Sequence, residues 1–186
     1  MCRFLTGSAR IQQTNRRRIW RLLDNEVFLS NKGELLLAPR NMLSDNYTIP
    51  LWISFIAGSP VDFDTRGSHI HDELCYCREA LIINLTVDEL KEKGYLRFSE
   101  KNNMWVCEDV PAKFLKKRKV SKFEANNILY GCMEASGVPL LNRIIIRLGV
   151  VFNIGWFIDY LLGRVFKLDL DRVYTKEYWD ENVRRK

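Results

Sequence analysis

Two apolar triplets, Val27-Phe28-Leu29 and Leu35-Leu36-Leu37, flank Asn31-Lys32-Gly33 and predict a β-hairpin over 26–38, with Pro39 stopping its second strand. Residues 40–50 read as an irregular connection ending at Pro50, and 57–67, with Gly58, Pro60 and Gly67, as another loop. Ile70, Leu74, Cys77 and Leu81 recur at spacings of four, three and four and predict a helix from about Ser68 to Ile83. Thr86-Val87-Asp88-Glu89 is a capping box that should open a short helix ending at Gly94. A second hairpin is expected from Tyr95–Phe98 and Met104–Cys107 around Glu100-Lys101-Asn102-Asn103.

Ser121-Lys122-Phe123-Glu124 is another capping box, for a helix stopping near Gly137, and helical segments should fill much of 139–166. The pattern implies an α+β fold in which one or two β-hairpins pack on a mostly helical body. Its expected organisation is a basic N-terminal arm over 1–19, a single globular domain over 20–166 with an insertion at 84–119, and a charged C-terminal tail over 167–186.

Composition adds limits. The chain has 186 residues and 47% hydrophobic residues, which excludes a largely disordered chain. The five cysteines, Cys2, Cys75, Cys77, Cys107 and Cys132, are odd in number and lack C-x-x-C spacing, so a disulfide framework is not expected and a reducing compartment is the default. The stretch 148–163 is the most apolar, but only 16 residues separate Arg147 from Arg164, and Asn153 and Asp159 lie inside it. It is too short for a span of about 20 residues, so a buried core segment is expected first and an interfacial one second.

Charge is placed unevenly. Arg3, Arg10, Arg16, Arg17, Arg18 and Arg21 fall in residues 1–23, which hold no acidic residue, while the other 23 Lys and Arg balance 23 Asp and Glu. The net charge of +6 thus belongs to this N-terminal segment. Arg10, Arg16, Arg17, Arg18 and Arg21 are its candidate binding residues, suited to nucleic acid, an anionic membrane or an acidic protein surface. The competing reading is a solvated terminus. The segment lacks the apolar core and cleavage site of a secretory signal. The later run Lys113, Lys116, Lys117, Arg118 and Lys119 reads as a solvated face.

The only two histidines, His69 and His71, share one helix start. At i and i+2 they point to different sides, so a shared metal is not expected, and neither metal nor cofactor is assigned. His71 could instead serve as a general base if a polar partner from another segment orients it, with Asp72 holding a cation or loop amides. Asp45, Asp62 and Asp64 upstream and the start of the helix at Glu124–Asn127 downstream are the candidate partners. Cys75 and Cys77 on an apolar face read as small hydrophobes rather than nucleophiles.

Four segments together resemble a phage and bacterial family known as domain of unknown function 1353. A strand enters Ala38-Pro39-Arg40-Asn41-Met42-Leu43-Ser44-Asp45, then two residues and Thr48-Ile49-Pro50; His71-Asp72-Glu73-Leu74-Cys75-Tyr76 follows; then Ser121-Lys122-Phe123-Glu124-Ala125-Asn126 with Met133 and Gly137-Val138; and last Arg147-Leu148-Gly149. The family has Gly at Asn41 and Asp at Asn126, and lacks the residue added before Tyr76.

The resemblance implies a phage or prophage origin. Its His-Asp pair is reminiscent of phospholipase A2, which would make His71 the base, Asp72 the metal ligand and Asn126 the stand-in for an orienting Asp. An amide cannot stabilise an imidazolium by charge. The expectation is therefore a phage-encoded, virion-associated structural or interaction protein without catalytic activity. It would sit in the virion or host cytoplasm, with peripheral membrane contact open and its partners virion proteins or an acidic surface, and it could form an oligomer. The alternative is a small His-Asp hydrolase acting on lipid or cell envelope, with His71, Asp72, Asp45 and Asn126 as its site. The two differ in whether His71 reaches Asn126 or Asp45 in an open pocket.

Overall fold

The computed structural model describes residues 2–8, 10–13, 20–44 and 66–151. Strands β1 (Arg3–Phe4), β2 (Ile11–Gln13), β3 (Trp20–Leu22), β4 (Glu26–Leu29), β5 (Leu35–Ala38) and β6 (Leu43–Ser44) come first. Helix α1 (Arg66–Cys77), β7 (Glu79–Ile83), α2 (Val87–Glu92), β8 (Leu96–Ser99), β9 (Met104–Cys107) and β10 (Leu115–Lys119) follow, then α3 (Lys122–Ala135) and α4 (Leu140–Val151). The centre is a five-stranded sheet in the order β1-β4-β5-β7-β10, all its pairs antiparallel. A three-stranded sheet, β2-β3-β6, and the β8-β9 hairpin stand beside it.

This sheet corrects the expected mostly helical body. The reason lies in how buried strands read. β5 is buried at all four positions because both faces of the sheet are covered. On one face Phe28, Leu36, Ala38 and Ala80 pack with Ile70 and Leu74 of α1 and with Ala125 and Cys132 of α3. On the other, Val27, Leu35, Leu37 and Ile83 pack with Leu90, Leu96, Cys107 and Val110. A short run apolar on both sides loses the period-two signal and is indistinguishable from a helix segment. Hence the sequence of 79–83 reads as the end of a helix. The chain instead leaves α1 at Arg78, whose φ of 51° breaks the helix, and Ala80-Leu81-Ile82-Ile83 enters the sheet between β5 and β10. Full burial of Phe28 and Leu36 contributes roughly 1.5–3 kcal/mol each.

The 26–38 hairpin forms in register Glu26↔Ala38 to Leu29↔Leu35, and Gly33 takes the positive φ (78°) its turn requires. The stretch 84–119, expected as an insertion, covers the second face and supplies β10 at the sheet edge. β10 is the basic run expected as a solvated face. Exposed Lys116, Lys117 and Lys119 on an edge strand discourage pairing with a second sheet. Arg118 ties β10 to Glu34 (2.9 Å) and Glu124 (3.1 Å). The Thr86 capping box forms in full. Ser121 caps α3 by accepting from the Glu124 amide, while the Glu124 carboxylate turns to Lys32 and Arg118.

Parts of the segment expected as an N-terminal arm are strand. Arg3–Phe4 is the edge strand opposite β10, and Ile11–Gln13 pairs with Trp20–Leu22. Arg10 donates to both Asp24 oxygens, at 2.9 and 2.8 Å, and its guanidinium holds the Asp24 carboxyl below its ordinary range. Arg21 is exposed on β3, while Arg16, Arg17 and Arg18 lie outside the described residues. So does the tail over 167–186. Of the apolar stretch 148–163, only the end of α4 is described. Among the described residues, no helix is long and apolar enough to cross a membrane.

Candidate functional site

Helix α1 packs against both the central sheet and α3, and its polar side chains divide by the neighbour they face. Ile70 and Leu74, one turn apart, bury against the sheet. Next to them His69 is 1% exposed, and its Nδ1 lies 2.8 Å from Oε2 of Glu26, which is 0% exposed at the head of β4. Asp72 Oδ2 accepts from the Ser44 hydroxyl at 2.6 Å. These two contacts fasten α1 to β4 and β6.

The other side of α1 faces α3. His71 Nε2 lies 3.1 Å from Asn126 Oδ1, and also 3.2 Å from Cys75 Sγ, one helical turn along α1. Its Nδ1 is 3.9 Å from Asp72 Oδ1. The His71 side chain keeps 15% of its surface. Burial alone pushes its imidazolium to lose the proton, but the Asp72 carboxylate and the Cys75 sulfur together outweigh that, and the imidazole rises from 6.5 to about 10. Nε2 thus faces both the Asn126 amide oxygen and the Cys75 sulfur.

Further along α1, Glu73 and Cys77 form a second couple. Burial raises the Glu73 carboxyl from 4.5 to about 7, against the pull of the Cys77 hydrogen bond and Lys117. Burial, with the charge and hydrogen bond of Glu73, pushes the Cys77 thiol up to about 12.

His71, Asp72 and Asn126 therefore do meet in space, from two helices, as their candidacy required. Asp45, Asp62 and Asp64 lie outside the described residues; Ser44, the neighbour of Asp45, is the early-loop residue that reaches the cluster. His69 and His71 point apart. Among the described residues there is no group of three or more His, Cys, Asp or Glu placed to hold a metal ion. All five cysteines are free.

Sequence reasoning missed Glu26, Ser44 and the part played by Cys75. Glu26 carried one signal, a lone charge at the head of an apolar strand. Cys75 carried another, its i+4 spacing from His71. Ser44 carried none.

Fold and cluster define a small protein with an antiparallel sheet buried on both faces and a polar seam along one helix. Scanned against protein-family models, curated proteins and solved structures, the chain matches none.

Proposed function

We propose that the chain is a non-catalytic phage protein, virion-associated and structural, which docks on an acidic surface. The observation that carries this reading is the pair of contacts on one nitrogen of His71, Nε2, which lies 3.1 Å from Asn126 Oδ1 and 3.2 Å from Cys75 Sγ. A general base must be free to take a proton near the working pH. With Nε2 engaged by Asn126, and with Asp72 and Cys75 raising the imidazole to about 10, the ring is ill placed to take a proton from a substrate. The polar side chains around it are engaged in joining α1 to α3 and to the sheet. The phage origin rests on the four-segment resemblance, and the docking role on the concentration of arginine in residues 1–23.

Deleting that segment would remove β1, β2 and β3 and disturb the sheets, so charge substitution is the cleaner test. Replacing Arg16, Arg17, Arg18 and Arg21 by Glu should lower the salt concentration that elutes the folded protein from an anionic resin, and should abolish co-sedimentation with the virion. Unchanged elution would contradict the docking reading.

A second reading, the small His-Asp hydrolase acting on lipid or cell envelope, draws on the 3.1 Å His71–Asn126 contact. It requires the ring to shed its proton, so such an enzyme would gain activity only as pH climbs towards about 10. Turnover that peaks near neutrality and disappears in a folded His71→Gln variant would overturn the non-catalytic reading.

A further inference from the structure

Two cysteines sit two residues apart on α1, both half-buried, in opposite electrostatic surroundings. Cys75 Sγ lies 3.2 Å from Nε2 of His71, the same nitrogen lies 3.1 Å from Asn126 Oδ1, and Nδ1 on the far side of the ring is 3.9 Å from Asp72 Oδ1. Cys77 instead faces the Glu73 carboxyl, with Glu79 adding negative charge and Lys117 partly offsetting it. The nucleophilic form of a cysteine is the thiolate, which a neighbouring imidazolium favours and a neighbouring carboxylate disfavours. Helical spacing alone brings residues i and i+4 together. What it does not supply is the third group, an amide oxygen from another helix that meets the same nitrogen and so fixes where Nε2 points.

We propose that Cys75 and His71, with the ring fixed by Asn126, form a nucleophilic thiol–imidazole site that reacts with low-molecular-weight disulfides. The inference stands apart from the docking reading, since a structural protein can carry such a thiol. Cys75 Sγ attacks one sulfur of the reagent, the reagent's S–S bond breaks, and a new S–S bond forms to Cys75. The departing thiolate takes up the proton that the cysteine gave up and His71 held. Cys75 is oxidised as half of the reagent is reduced to a free thiol, so atoms and electrons balance.

The test uses the full-length reduced protein and oxidised glutathione at neutral pH, with each of the five cysteines followed by peptide mass mapping. Cys75 should be modified at least about tenfold faster than Cys77. The preference should collapse when the chain is unfolded in urea, and a folded His71→Gln variant should slow Cys75 by a similar factor while leaving Cys77 unchanged. Equal rates at the two cysteines in the folded wild type would overturn the proposal. So would a preference that survives urea, or a Cys75 rate untouched by His71→Gln. Should the variant fail to fold, the wild-type ratio with and without urea still decides.

Discussion

The two sides of helix α1 solve the problem of a buried polar group differently. Towards the sheet, His69 and Glu26 are sealed from solvent as a close pair, and Ser44 meets Asp72 beside them. Towards α3, His71 keeps a small exposed area and shares one ring nitrogen between an amide and a sulfur. The first side works as a fastener: its partners come from strands far off in sequence, and separating them takes a close partner from a buried polar group. The second holds a charge near the surface, where its protonation can be read and changed. One 12-residue helix thus carries a structural pair and a titrating cluster two residues apart.

If the contrast holds, the largest effect belongs to the sealed side. Glu26→Ala should destabilise the fold by about 3–5 kcal/mol, because His69 loses a partner it cannot replace from water. Denaturant unfolding checks this, and a loss under about 1 kcal/mol would erase the distinction. Ser44→Ala removes a hydrogen bond to a carboxylate and should cost about 1.5–3 kcal/mol by the same measurement.

The partly exposed side should show itself in pH dependence. The folded state holds the His71 proton more tightly than the unfolded chain does. Its stabilisation is therefore complete below about 6.5 and is lost as pH rises towards about 10. Glu73 acts in the same direction in a lower window. Burial keeps its carboxyl protonated to about 7, so stability falls as pH rises from 4.5 through that value. Thermal melts from acid to alkaline pH should decline across both windows; His71→Gln should flatten the upper one and Glu73→Gln the lower one. The smallest effect is expected from Asn126→Ala, about 0.5–1.5 kcal/mol, since it takes one hydrogen bond from a ring that keeps its other neighbours. An Asn126→Ala loss matching that of Glu26→Ala would mean that the α3 side is a fastener too.

How much of this was legible in the sequence follows from range. Local signals read true: the Asn31-Lys32-Gly33 turn, the Thr86–Glu89 cap, the 95–107 hairpin and the Ser121 helix start all formed. Each is written in residues a few positions apart. The central sheet was not legible, because its order joins strands from 3–4 to 115–119, and a sheet apolar on both faces hides its own period. The basic N-terminal segment misled for the same reason: Arg3 and Arg10 read as charge, while their strand and their Asp24 partner are tertiary facts.

In the candidate site, spacing placed His69 and His71 on different sides of a helix, and the resemblance paired His71 with Asn126 across 55 positions. Glu26 and Ser44 could not be found without the fold, since nothing near them in sequence demands a partner.

The protonation state of His71 decides most. With only two histidines in the chain, imidazole resonances followed by NMR between acid and alkaline pH can be assigned by one His71→Gln variant. The resonance lost in that variant should remain that of an imidazolium through neutrality and titrate near 10. A midpoint at or below 6.5 would leave His71 a free base, contradict the account of the α3 side, and return the hydrolase reading to the front.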